Sequence, residues 1–417
     1  MNDTLALVRH IGRWLPLAGL IGVLAGAASA LFLALLEQAT QIRLGHPWLV
    51  FLLPLGGLMV GWVYWRWGGL ANGGTGHVID QAHTLSTRVP ARMTPLVLIG
   101  TVITHLFGGS AGREGTAVQM GASLADTLRR ALRLTDPTER RWMLQAGISG
   151  GFSAVFGTPV AGVVFGMEVL NMGRVRYDAL VPCLIAALVG DLSARVLGAH
   201  HAHYPQTPLT ELDAALVLKV ALAGVLFGLC AWLFISLTHA VKHAAAHWLR
   251  WPPLRPLVGG VAVIALAAML QTDAYLGLSL PLIADSVNGA GVPPLAFLFK
   301  LVLTAVTLGT GFMGGEVTPL FVMGATLGFS LGGPLGVEPT LLASIGFVAV
   351  FAGASNTPLA CALMGIELFG GGAALYLLMA CALAYLFSGH RGIYMTQRLD
   401  TPKAPSDAPV GVPLKDL

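Results

Sequence analysis

The chain has 417 residues, of which 55% are hydrophobic and 11% charged, with 53 glycines and a strongly positive mean hydropathy. This balance excludes a soluble globular domain and places the sequence among polytopic, all-α membrane proteins. The net charge of +4 sorts into particular loops, as membrane topology requires, and so gives no reason to invoke nucleic acid.

Apolar runs able to cross a bilayer, or to pair into re-entrant halves, cover about residues 14–37, 48–65, 94–107, 141–170, 177–198, 213–238, 254–271, 293–311, 317–335, 340–368 and 372–388. The leading "MNDTLALVRHIGRWL" carries no cleavage site, so the first run is expected to be retained as a span. Arg129, Arg130, Arg133, Arg140 and Arg141 crowd one loop, Lys242, Arg250 and Arg255 another, and Arg391, Arg398 and Lys403 the tail. By the positive-inside rule these loops and both termini face the cytoplasm. The loops "GAHHAHYPQTPLTELD" and "TDAYLGLSLPLIADSVNGAG" lack Lys and Arg and are expected to face outward.

His200, His201 and His203 in the first of those loops have no accompanying carboxylate motif and read as a solvated loop. Cys183, Cys230, Cys361 and Cys381 each lie in apolar sequence without metal-ligand spacing and read as small buried hydrophobes. Without a nucleophile or metal constellation, neither an enzyme nor a cofactor or metal is expected. The expected organisation is one transmembrane transport domain over residues 1–400, with repeat halves at about 14–200 and 213–398, and a short cytoplasmic tail over 401–417.

The halves echo one another. "TPVAGVVFGME" (158–168) and "TPLACALMGIE" (357–367) share the pattern T-P-x-A-x-x-x-x-G-x-E at an offset of 199 residues. "REGTAVQMGASL" is answered by "GEVTPLFVMGATL", where Glu316 and Thr318 match Glu114 and Thr116 at an offset of 202. Duplicated halves with interrupted apolar segments are the sequence sign of a transporter or channel whose site lies where the halves meet.

Glycine turns inside apolar sequence expose backbone at membrane depth, which is tolerated only where protein or a water-filled cavity satisfies it. Helices are expected to begin after each turn, with Thr116, Thr158, Thr318 and Thr357 as N-cap candidates and Pro at the first helical position. Several such N-termini converging on one cavity would form an anion site without a buried cation. Glu114 belongs to that setting: a carboxylate at mid-span costs about 2.5–3.5 kcal/mol or more, which an N-terminal dipole offsets. A glutamate so placed competes with a transported anion and leaves on protonation. Pairing of Arg113 with Glu114 is the bland alternative, although neighbours on a glycine turn usually point apart.

These residues resemble the CLC family of chloride channels and proton-coupled anion antiporters: "GSAGREGTAVQMG" is similar to its G-[KR]-E-G-P signature, and "GFMGGEVTPLF" to its second, usually G-G-x-F-x-P. The likeness spans about residues 14–398 and implies an inverted-repeat fold of short, broken and tilted helices, a homodimer in a bacterial inner membrane, and Glu114 as the gating, proton-coupling glutamate. GREGT combined with GGEVTP resembles the bacterial fluoride/proton antiporter branch. The inner proton acceptor of the chloride/proton antiporters is missing, because Glu168 is followed by Val169, leaving Glu316 as the expected helper.

By the same resemblance the anion-binding set is Thr75, Gly76, Gly112, Arg113, Gly115, Thr116, Glu316, Val317, Thr318 and Tyr394. "GTGHV" (74–78) stands for the family's central-site loop, and Tyr394 for its C-terminal tyrosine, with an interfacial belt residue as the alternative. Fluoride holds water strongly, so Thr116 and Thr318 are expected to bring hydroxyl donors to it, while Val317 removes a bulky aromatic. His77 reads as a satisfied polar residue at a helix start. Glu168 and Glu367 are expected at the far ends of half-membrane helices, capping or pairing with loop arginines, Arg174 or Arg176 for Glu168. The leading expectation is export of fluoride against protons; chloride or nitrate transport on the same fold is the alternative, which Thr75 favours.

Overall fold

The computed structural model describes residues 2–405 and 408–417. Sixteen α-helices occur among them, eight in each half. The first eight are α1 (Asn2–Gly45), α2 (Leu53–Val63), α3 (Gly74–Thr84), α4 (Met93–Leu106), α5 (Glu114–Ala131), α6 (Pro137–Phe156), α7 (Pro159–Glu168) and α8 (Leu180–Val196). The second eight are α9 (Ala214–Trp248), α10 (Leu254–Leu270), α11 (Leu280–Asn288), α12 (Ala296–Gly309), α13 (Val317–Leu335), α14 (Pro339–Ser355), α15 (Pro358–Phe369) and α16 (Ala374–Phe387). A parallel pair of two-residue strands, β1 (Asn171–Met172) and β2 (Arg398–Leu399), fastens the tail.

Each half uses the same contacts. Helix α5 packs on α6 as α13 packs on α14, and α1 on α8 as α9 on α16. Small residues permit this: a side chain on Gly121 would collide with the Gly147 carbonyl, and one on Gly324 with that of Gly346. Gly22 and Gly26 likewise press on the α8 backbone, and Gly224 and Gly228 on that of α16. Close backbone approach of this kind supplies the dispersion that holds helices together where lipid removes the hydrophobic drive.

The all-α, repeated architecture agrees with expectation, and so do the helix starts at Pro159 and Pro358, which divide the runs 141–170 and 340–368 at Gly157–Thr158 and Asn356–Thr357, where Gly157 and Asn356 take left-handed backbone; two details differ. The stretch 272–291, expected as a loop, contains α11. Its lysine-free surroundings are held instead by Lys300 of α12, fully buried, whose Nζ donates to the Tyr275 and Gly277 carbonyls and the Ser279 hydroxyl at 3.2, 2.7 and 2.9 Å. Thr116 and Thr318 are not N-caps: Arg113 and Glu316 hold those positions, and the two threonines lie inside the first turns.

Thr158 and Thr357 do precede α7 and α15, but neither side chain caps its helix. The caps come from the other half. The Glu168 carboxylate, at the end of α7, accepts the N–H groups of Leu359 and Ala360 at 3.2 and 2.9 Å. Glu367, at the end of α15, accepts those of Val160 and Ala161 at 3.0 and 2.8 Å. The two equivalent helices therefore lie antiparallel, each satisfying the other's free amides and opposing its dipole. Capping by these glutamates was anticipated; arginine partners were not found, for Arg174 pairs with Asp400 and Arg176 with Asp178. Reciprocal contact between antiparallel equivalents requires a two-fold relation that inverts one half relative to the other.

Candidate functional site

The glycine turn before α5 is fixed from beneath. Gly108 has φ +86°, the Gly109 amide donates to Thr104 O at 2.7 Å, and the Ser110 hydroxyl meets that of Thr304 at 2.9 Å. Gly112 then exchanges two backbone hydrogen bonds with Gly315, N–H to carbonyl, at 2.6 and 2.8 Å. This antiparallel bridge joins the turns of the two halves and sets the starts of α5 and α13 face to face. The absence of a side chain at Gly315 is needed here, since a Cβ would lie 2.8 Å from the Gly115 nitrogen.

Glu114 begins α5 and is 1% exposed. Its Oε2 accepts the Arg113 N–H at 3.1 Å and the Thr318 N–H at 3.0 Å, and the Thr318 hydroxyl lies 2.6 Å from both carboxylate oxygens. The carboxylate thus sits on the first turn of α13, where unpaired amides and the helix dipole favour negative charge. Arg113 Nε stands 3.5 Å from Oε1, within ion-pair range but without a hydrogen-bond partner. The neighbours do not point fully apart as the turn suggested. Of the four helix starts expected, those of α5 and α13 converge here; those of α7 and α15 are occupied by Glu367 and Glu168.

Two spaces lie about these paired helix starts. One is a cavity of about 410 Å³ whose walls include Thr75, Gly76, Gln119, Glu316 and Tyr394, with Lys242 and Arg255 also facing it. The Gln119 amide donates to the Thr75 hydroxyl oxygen at 3.2 Å, leaving the Thr75 proton free to donate elsewhere. Thr396 donates its hydroxyl to Gly76 O at 2.8 Å. A Cβ built on Gly115 would lie 3.7 Å from Glu316 Oε2 and 3.9 Å from Thr75 Oγ1, so these oxygens converge over the bare Gly115. The other space is a chamber of about 30 Å³, room for a water or a small ion, bounded by Glu114, Thr318, Phe156, Phe321, Phe347 and Tyr204. Phe321 stacks on Phe347 at 4.0 Å between ring centroids.

Most of the residues expected from the sequence are brought together here, and two are not. The Thr116 hydroxyl is buried against that of Thr101 at 2.8 Å and lines neither space. Val317 is also buried away from both. Helical geometry explains this: the third residue of α5 faces α4, whereas Thr318 is carried by the Gly112–Gly315 bridge onto Glu114. His77 is satisfied, with Nε2 3.0 Å from Arg88 O. Gln119, Lys242, Arg255 and the aromatic chamber were missed; a glutamine five residues after Glu114 in "REGTAVQ" was a signal, while the cations of α9 and α10 reach the site by tertiary packing alone. All four cysteines are free and buried, and no group of three His, Cys, Asp or Glu suited to a metal ion occurs among the described residues.

Paired helix starts around a buried carboxylate, closed by two inverted halves with five helical segments long and apolar enough to cross a membrane, define a multi-pass membrane ion-transport protein. Residues 56–389 match the family model described as voltage gated chloride channel. The chain belongs to that CLC family of ion channels and transporters. It is 48% identical, over all of its own length and 93% of the relative's, to a protein of Pseudomonas syringae pv. tomato named chloride/fluoride channel protein. Among solved structures it is similar to a CLC-type fluoride/proton antiporter, at TM-score 0.90 and 33% identity over 93% of this chain and 98% of that one. A slow cyanobacterial chloride/proton antiporter shares the fold, at TM-score 0.78 and 19% identity over 90% and 94%.

Proposed function

We propose that the protein exports cytoplasmic fluoride in exchange for protons, with Glu114 as the group that carries out the exchange. The observation behind this reading is the seat of the Glu114 carboxylate on the α13 N-terminus: amides and a hydroxyl that hold this anion would hold a halide equally. Likeness to the fluoride/proton antiporter at 33% identity and to the chloride/fluoride channel protein at 48% supports the choice of ion. On this reading the 410 Å³ cavity is the inner vestibule. Fluoride enters it past Lys242 and Arg255 and meets the free proton of the Thr75 hydroxyl above Gly115. A proton arriving from outside neutralises Glu114, which loses its hold on the Thr318 amide and vacates the seat for fluoride. The proton then passes inward to Glu316, whose Oε2 faces the same space over Gly115, and leaves through the vestibule. Tyr394 walls that route and Gly112 fixes the seat through its bridge; Gly76 holds the Thr75 loop to the tail.

The same reading places both termini in the cytoplasm of a bacterial inner membrane, with residues 1–400 as one transport domain and 401–417 as its tail. It also makes the protein a homodimer. Val160 and Leu359, 50% and 42% exposed, lie at the starts of α7 and α15, short helices of about 15–18 Å that also carry small residues suited to close helix packing, and a second copy would cover this face. Chloride transport is the competing reading, carried by Thr75, whose hydroxyl also suits that ion.

Purified protein in liposomes, assayed for fluoride and chloride efflux with a pH readout, decides between them. Fluoride should leave much faster than chloride and draw protons inward, and Glu114→Gln should abolish the proton movement. Equal rates for the two halides would overturn the assignment to fluoride, and wild-type proton exchange by the Gln variant would overturn the role of Glu114.

A further inference from the structure

The histidine loop is exposed at His200, Ala202 and His203, as a solvated loop should be, and it also walls a space. Residues 199–206 roof a cavity of about 490 Å³ whose walls carry His200, His201 and His203 together with Arg195 of α8 and Glu367 of α15. This cavity adjoins the small chamber at Glu114: Phe156, Ala202, Tyr204 and Leu368 line both. His201 is anchored with Nε2 3.0 Å from the Ala154 carbonyl oxygen, and its ring fills the space above Gly157, which has φ +72° and no side chain to obstruct it. Tyr204 packs its ring on Phe347 and Phe369 at 5.5 and 5.3 Å. It is the titratable side chain shared by the two spaces.

We infer that this cavity is the outer proton entrance of the exchanger: its imidazoles collect protons from the external medium, and the Tyr204 hydroxyl passes them to Glu114. The inference rests on the fluoride/proton reading above. The step balances without further reagents. Tyr204 receives a proton from an imidazolium or from water in the outer cavity, gives its own hydroxyl proton to the Glu114 carboxylate, and remains neutral. The groups that face the imidazoles are Arg195, itself paired with Asp191 at 2.8 Å, Glu367, which is held by the α7 amides, and Arg113 beyond the chamber wall. Burial first of all, and the nearby arginines Arg195 and Arg113 to a lesser degree, press His201 below the ordinary histidine range, so near neutral pH it passes protons on rather than storing them.

A collector is needed when protons are scarce. Around pH 7.5, diffusion alone brings a proton to a single group on the order of 10² times per second, and a narrow chamber lowers this further; at acid pH the supply is ample. The test therefore reads the dependence on outside pH. Right-side-out vesicles from a host without its own fluoride exporters are loaded with fluoride, and efflux and proton uptake are followed as outside pH is stepped. Tyr204→Phe preserves the ring packing, and combined His200→Gln, His201→Gln and His203→Gln removes the collectors. Each should slow coupled efflux about tenfold near pH 8 and less than about twofold near pH 5.5. A profile parallel to that of the unaltered protein, or an equal loss at every pH with a lowered melting temperature, would overturn the inference. If the unaltered protein takes up no protons at all, the exchange reading itself fails, a different result from variants that track their parent.

Discussion

At the scale of single residues, the site is defined by which polar groups lack protein partners of their own. Glu114 is fully engaged, accepting from Thr318 and from the Arg113 amide, so its charge is offset as long as it stays ionised. Thr75 accepts from Gln119 and keeps a proton to give. Lys242 is exposed at the vestibule wall, which it shares with Glu316, and its charge is available to arriving anions. Lys242→Gln should raise the KM for inner fluoride about three- to tenfold at low ionic strength, leave kcat near its starting value, and lose the difference as salt screens the charge. Efflux measured against internal fluoride at two salt concentrations checks this. An effect on kcat at all salt concentrations would mean instead that Lys242 acts on the chemistry at Glu316.

At the scale of elements, the antiparallel pair α7 and α15 replaces two ordinary caps by carboxylates borrowed across the repeat. Each glutamate satisfies two backbone donors and opposes a dipole, so Glu168→Gln and Glu367→Gln should each cost about 1–2 kcal/mol. Thermal denaturation in detergent should show both losses. Because the two sites lie at opposite ends of the pair, the double variant should be close to the sum of the single ones. Strong non-additivity would indicate that the helices loosen as one unit. The sequence announced the T-P-x-A-x-x-x-x-G-x-E repeat and a capping role for its glutamates, but the partners lie 191 and 207 residues away. Local pairing with Arg174 or Arg176 was the nearer expectation for that reason.

At the scale of the whole molecule, inversion of the halves makes one narrow place where two helix starts meet and leaves a cavity on either side of it. The 30 Å³ chamber shares a wall with the cavity of about 490 Å³ and is set off by the paired helix starts from that of about 410 Å³, so the space narrows where the halves meet. The uncovered faces of α7, α8, α15 and α16 belong to this scale as well. Leu184 and Leu188 on α8 and Leu375 and Leu378 on α16 are 43%, 50%, 53% and 44% exposed. Cysteine at Leu188 should cross-link between copies in native membranes with a bifunctional thiol reagent, giving a band of twice the mass. Monomer alone, with the same reagent modifying the thiol, would remove the dimer.

The sequence by itself determined the membrane class, the duplicated halves, and the buried carboxylate in a glycine turn, because hydropathy, repeat offset and charge are properties of the chain read in order. It also carried the signatures that mark the family. Only the tertiary structure decided which helix starts face Glu114, that Thr318 touches it while Thr116 and Val317 turn away, and that a histidine-lined loop 199–206 shares a wall with its chamber. Those facts depend on the inverted packing of one half against the other, in which residues about 200 positions apart become neighbours at distances set by glycine contacts that no local pattern specifies.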